Sequence, residues 1–180
     1  MKKKLEQSIA LVPEVGTVHR IERDPAYIRP AKFGDVEGIV ATLMRPWSES
    51  ATPWPEPEQP YCQQYTMDLI AQGLCFVALA DGTRVVGVIM LDHARWPWTH
   101  PNSESGRHLY NQHFWVEPAY RRGGTASKLL KMATARADTA GLPLLLISSS
   151  SSPDIDLTDR FFATSGFKRI GGTYFRSAKE

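Results

Sequence analysis

The stretch that most constrains this chain is Phe114 to Arg136, where a strand feeds a glycine turn and the turn opens a helix. The first backbone N–H groups of a helix have no internal partner, and the helix dipole adds partial positive charge there. Such an end is a phosphate-binding site. Gly123 and Gly124 carry no side chain, so the backbone can come close to a pyrophosphate, and Arg121, Arg122 and Lys128 add charge at the same place. A lone Gly-Gly would support only a tight turn with solvated arginines. The strand before it and the helix after it point to a phosphate site. The turn is not a Walker loop, which needs Gly, four residues, then Gly-Lys-Ser/Thr. It is not the dinucleotide fingerprint either, because Gly-x-Gly-x-x-Gly is absent.

The rest of the chain reads as alternating strands and helices. Tyr27–Pro30 is a short strand, and Lys32–Met44 is a helix with Val36, Ile39, Val40 and Leu43 at helical spacing. Arg45–Pro60 holds five prolines and reads as a loop, and Gln63–Gln72 reads as a second helix stopped by Gly73. Leu74–Ala80 and Arg84–Leu91 form a hairpin about the turn signal Asp81-Gly82. His108–Val116 is a long strand. A helix from Ala126 follows, with Leu130, Ala133 and Ala137 on one face, and Gly141 and Pro143 end it. The apolar run Leu144–Ile147 is expected to be a strand buried on both faces. Ser152-Pro153 opens a helix to about Thr164, Gly166 stops it, and Phe167–Phe175 closes as strand. Residues 1–24 show no sustained period and read as an N-terminal extension to a single domain spanning 25–180.

Composition narrows the classes of function. A net charge of +2 is too mild to argue for nucleic acid, and the only run of three basic residues stands at the N-terminus. No apolar run approaches the ~20 residues that cross a bilayer, so no membrane partner is expected. Cys62 and Cys75 match no metal or redox spacing and read as reduced thiols, which fits a cytoplasmic protein.

The turn resembles the signature of the GNAT superfamily of N-acetyltransferases, Arg/Gln-x-x-Gly-x-Gly/Ala. Here it reads Arg121-Arg122-Gly123-Gly124-Thr125-Ala126, after Val116-Glu117-Pro118-Ala119-Tyr120 and before Ser127-Lys128-Leu129-Leu130. Farther on, Phe161-Phe162-Ala163-Thr164-Ser165-Gly166-Phe167 is similar to the family's aromatic and Gly-Phe close. The resemblance covers about Tyr27 to Arg176 in element order. It implies an α/β (α+β) fold with a mixed, mostly antiparallel sheet flanked by helices and splayed at a wedge that takes acetyl-CoA as co-substrate. The Val116 backbone would pair with the pantetheine arm. The amides of Arg122, Gly123, Gly124, Thr125, Ala126 and Ser127 would hold the pyrophosphate beside Arg121. Ser149 and Ser150 would line the cofactor, where the family often has an asparagine. Phe162 stands where the family often has a tyrosine that protonates the leaving thiolate.

The implied chemistry needs a neutral amine, whereas an alkyl ammonium titrates near 10.4. In the family a base on the strand before the signature often takes the proton. Here Tyr110 replaces the frequent glutamate, so Tyr110, His108 and Glu117 are the catalytic candidates. By strand alternation His108, Tyr110, Gln112 and Phe114 are expected on one face. Tryptophans around 47–54 and 96–100, with Glu49, Glu56 and Glu58, suit the wall of a pocket for a cation. The expected acceptor is a small-molecule amine or a protein amine, and the resemblance leaves a homodimer open. The competing reading is a GNAT-like protein that binds acyl-CoA and catalyses little.

Overall fold

The fold was obtained as a computed structural model, which describes residues 26–49, 56–146 and 155–169. A five-stranded sheet runs in chain order: β1 (Tyr27–Pro30), β2 (Cys75–Ala80), β3 (Arg84–Arg95), β4 (Arg107–Val116) and β5 (Leu144–Leu145). The first four strands are antiparallel to their neighbours, and β5 is parallel to β4. The helices are α1 (Val36–Glu49), α2 (Gln59–Ala71), α3 (Thr125–Ala140) and α4 (Ile155–Thr164).

Most of the expected elements are present, and the hairpin turn has the conformation its residues suggest. Asp81 (φ 53°) and Gly82 (φ 76°) are both left-handed at the centre of a turn that the Thr83 N–H closes onto the Ala80 carbonyl at 3.2 Å, and Thr83 is a third loop residue before Arg84 pairs with Ala80. The proline-rich segment departs from expectation. α1 continues through Pro46 to Glu49, and α2 begins at Gln59, with Pro60 in its first turn. A proline there costs nothing, because the first N–H groups of a helix lack partners anyway. β3 also runs on to Arg95, four residues past the expected end. Leu144 and Leu145 are half-buried rather than buried on both faces, since among the described residues β5 pairs with β4 alone. Phe167, Lys168 and Arg169 follow α4 without strand structure. The expected extension 1–24, Trp54, Ser149, Ser150 and the rest of the closing strand lie outside the described residues.

Two bulges decide which face each side chain serves. Ala78 pairs with Gly87 but Leu79 pairs with Val85, so Val86 is an extra residue. A Cβ on Gly87 would lie 3.2 Å from Leu129 of α3, whereas Val85 meets Gly38 of α1. α3 therefore covers one face of the sheet, and α1 and α2 cover the other. Ile89, Leu91 and Leu109 of the sheet and Leu129 of α3 are fully buried, each contributing about 1.5–3 kcal/mol by leaving water. The second bulge lies in β4: Met90 pairs with His113 and Leu91 with Asn111, leaving Gln112 unpaired.

Candidate active site

β4 is the central element of the site. It pairs with β3 from Arg107 to Val116, but with β5 only at Leu109 and Tyr110, among the described residues. Beyond Tyr110 no pairing of β4 with β5 is present among the described residues. The Glu117 N–H donates to the Val86 carbonyl, so Glu117 faces β3 and the alternating residues Val116 and Phe114 turn their backbone groups to the open edge. That edge is a row of donors and acceptors suited to an extended, amide-bearing chain.

The edge leads directly to the start of α3. Pro118–Gly123 forms a 3-10 turn, and Gly124 takes a left-handed φ of 79° as the N-cap of α3. The first intrahelical bond runs from the Lys128 N–H to the Gly124 carbonyl, 3.0 Å. The amides of Thr125, Ala126 and Ser127 thus lie at the positive end of the helix without a carbonyl inside it. Thr125 is buried, which anchors the turn, while Arg122, Gly123, Gly124, Ser127 and Lys128 are exposed. A Cβ added at Gly124 would stand in open space, so the cradle is accessible from solvent. Arg121 does something the sequence did not indicate: its Nε donates to the Val116 carbonyl at 2.8 Å and ties the turn to the end of β4.

The other face of β4, beneath α1 and α2, carries the polar residues. Tyr110 is opposite Asp92 in the ladder, and the Tyr65 hydroxyl of α2 donates to Asp92 Oδ2 at 2.6 Å. The Gln112 amide donates to the Tyr110 hydroxyl. Burial first, then the charge of Asp92, pushes the Tyr110 hydroxyl above its usual range. The Tyr65 hydroxyl is raised further by burial and by its bond to Asp92. Both phenols hold their protons near neutrality, so Tyr110 fits a proton donor and not a base. His108 lies two residues before it, buried under Trp96 with ring centroids 4.5 Å apart, and Trp98 stacks on the outer side of Trp96 at 5.1 Å. Its Nδ1 is buried and has no hydrogen-bond partner among the described residues.

The bulge in β4 overturns one expectation from strand alternation, and Glu117 is found paired. Phe114 does not share a face with Tyr110, because the bulge at Gln112 reverses the alternation. Phe114 instead packs on Phe161 and Phe162 of α4, centroids 6.3 and 6.4 Å away. The Glu117 carboxylate accepts from Arg84 at 2.6 Å, and Arg84 also donates to the Tyr120 hydroxyl. Glu117 pins the end of β4.

The same bulge turns His113 toward α1, which sequence alternation would not reveal. The Thr42 hydroxyl donates to the Ile39 carbonyl at 2.7 Å and so accepts from His113 Nε2, 3.3 Å away. Desolvation lowers the imidazole from 6.5 to about 4, while a hydrogen bond to the Thr42 backbone acts weakly the other way. The unfolded chain therefore binds a proton at higher pH than the fold does. Stability is complete above pH 6.5 and falls between 6.5 and about 4, by at most about 1.4 kcal/mol per pH unit. Urea unfolding across that window checks this: His113→Asn should flatten the dependence, and an equal slope in both proteins would refute it.

Residues 39–162 match the family described as Acetyltransferase (GNAT) family. No curated protein sequence matches the chain. Among solved structures, the chain is similar to a predicted acetyltransferase from Clostridium acetobutylicum with acetyl-CoA, at 18% identity and a TM-score of 0.65, covering 84% of this chain and 95% of that one. It is similar to the aminoglycoside N-acetyltransferase AAC(6')-Iy in complex with CoA, at 15% identity and a TM-score of 0.63, covering 85% and 94%. It also resembles the aminoglycoside 6'-N-acetyltransferase AAC(6')-Ih from Acinetobacter baumannii, at 17% identity and a TM-score of 0.58, covering 86% and 99%. At these identities the likeness is one of fold.

Proposed function

The chain belongs to the GNAT acetyltransferase family, and from that premise we propose that it transfers an acetyl group from acetyl-CoA to a primary amine. The observation that carries this reading is the continuity of two features. The open edge of β4 at Phe114 and Val116 runs straight into the amides of Thr125, Ala126 and Ser127 at the start of α3. An extended amide arm ending in a pyrophosphate needs those two surfaces in that order. The residues fit such a group, because Gly124 leaves open space at the helix end where any side chain would project.

Acetyl-CoA supplies an activated thioester when bound. The chain's own residues then have three tasks. The β4 edge and the α3 amides hold the co-substrate along the splay. Tyr110, protonated and placed where β5 leaves β4, gives a proton to the departing thiolate. His108, through water, takes the proton that the acceptor ammonium must lose before it can attack. Free thiol release with acetyl-CoA and a panel of amines, peptides and neutral alcohols tests the reading. Turnover with amines alone is expected, and turnover confined to alcohols would overturn it.

One observation favours the weaker alternative of a GNAT-like protein that binds acyl-CoA and catalyses little. Phe162 sits among Phe114, Phe161 and Phe167, and none of these rings has a proton to give. Binding of acetyl-CoA without thiol release across the panel would establish that alternative.

A further inference from the structure

Asp92 is half-buried, and among the described residues no lysine or arginine pairs with it. Its Oδ2 accepts from the Tyr65 hydroxyl at 2.6 Å, and its Oδ1 accepts from the His93 N–H at 2.7 Å. Two neutral donors are modest compensation for a partly desolvated carboxylate, which ordinarily finds a cation. The surroundings suit one. Tyr65 stacks in parallel on Tyr61, centroids 6.3 Å apart, and Tyr61 is mostly exposed, so the carboxylate stands beside an aromatic wall open to solvent. Raised as they are, the Tyr65 and Tyr110 phenols add no competing negative charge.

Position decides what that cation does. Asp92 is the ladder partner of Tyr110, the residue at which β5 leaves β4. Neighbouring strands lie about 4.8 Å apart, so Asp92 is set back from the splay by at least one strand spacing. A carboxylate that holds an ammonium keeps it protonated, and a protonated amine cannot attack a thioester. We infer that Asp92 and Tyr65 form an anchor for a second, non-reacting ammonium, so that the acceptor class is a diamine or polyamine. One amino group is held at Asp92 while another, about a strand spacing or more away, reaches the splay past Tyr110. This rests on the acetyltransferase reading for the fate of the free amine, but the anchor itself is a binding site that can be measured without turnover.

Diaminobutane and butylamine are the probes, with calorimetry on the full chain saturated with CoA. Wild type should bind diaminobutane at least tenfold more tightly than butylamine. Asp92→Asn, which keeps an acceptor for the Tyr65 hydroxyl, should abolish most of that preference, and Asp92→Glu should restore part of it. In thiol-release assays the same loss should appear in the diamine-over-monoamine ratio of kcat/KM, chiefly through KM. An unchanged preference in Asp92→Asn, or equal binding of the two amines by wild type, would overturn the anchor. A preference that behaves as expected without any acetylation would leave the anchor standing and remove the N-acetyltransferase reading instead.

Discussion

Gly124→Glu should abolish measurable acetyl-CoA binding, a loss of at least about 100-fold, equivalent to about 2.7 kcal/mol or more. Three effects add at this position. The φ of 79° is one that an L-residue adopts at a cost of roughly 1–2 kcal/mol, so the turn into α3 is strained by any side chain. The new side chain also enters the space before the free amides of Thr125, Ala126 and Ser127, which the glycine leaves open. Finally, its carboxylate can itself occupy the positive end of the helix, where a pyrophosphate would have to displace it. Gly124→Ala separates these causes, because it carries the strain without the charge and should weaken binding by about tenfold at most. Gly123→Ala is milder still: a Cβ there meets nothing within 4 Å, and its φ lies outside the left-handed region. Calorimetric titration of the folded variants checks the order. Wild-type affinity in Gly124→Glu would remove the phosphate assignment from α3.

Phe162→Tyr should raise kcat by about tenfold to 10²-fold while leaving acetyl-CoA affinity nearly unchanged, because a general acid typically contributes on that scale. Phe162 packs against Phe114, whose backbone forms the open edge of β4, so a hydroxyl added to this ring is carried on the α4 side of the splay. A thiol titrates near 8.5, and its anion is already a fair leaving group. On the proposed mechanism the reaction needs no hydroxyl at Phe162, and Tyr110, on the opposite face, is the expected wild-type donor. Tyr110→Phe should slow the wild type and slow Phe162→Tyr much less, since the second hydroxyl replaces the first. Single-turnover thiol release measures both. Full activity in Tyr110→Phe, together with no gain in Phe162→Tyr, would show that neither hydroxyl protonates the thiolate.

Features with local signals are legible in the chain alone. Asp81-Gly82 named its turn because the two central residues of such a turn are both left-handed. The glycine turn named the start of α3, because the unpaired N–H groups belong to the helix start itself. Gly141 and Gly166 ended helices as expected, at φ 65° and 89°. Other features depend on partners distant in the chain and emerge only on folding. A single unpaired residue, Gln112, turned Phe114 toward α4 and His113 toward α1, and alternation read along one strand cannot register a bulge created by the strand beside it. Glu117 looked free until Arg84, thirty-three residues earlier, took its carboxylate. Asp92 does not stand out in the chain, because it follows the apolar run of β3. Only the pairing of β3 with β4 sets it opposite Tyr110, and only the packing of α2 brings it the Tyr65 hydroxyl.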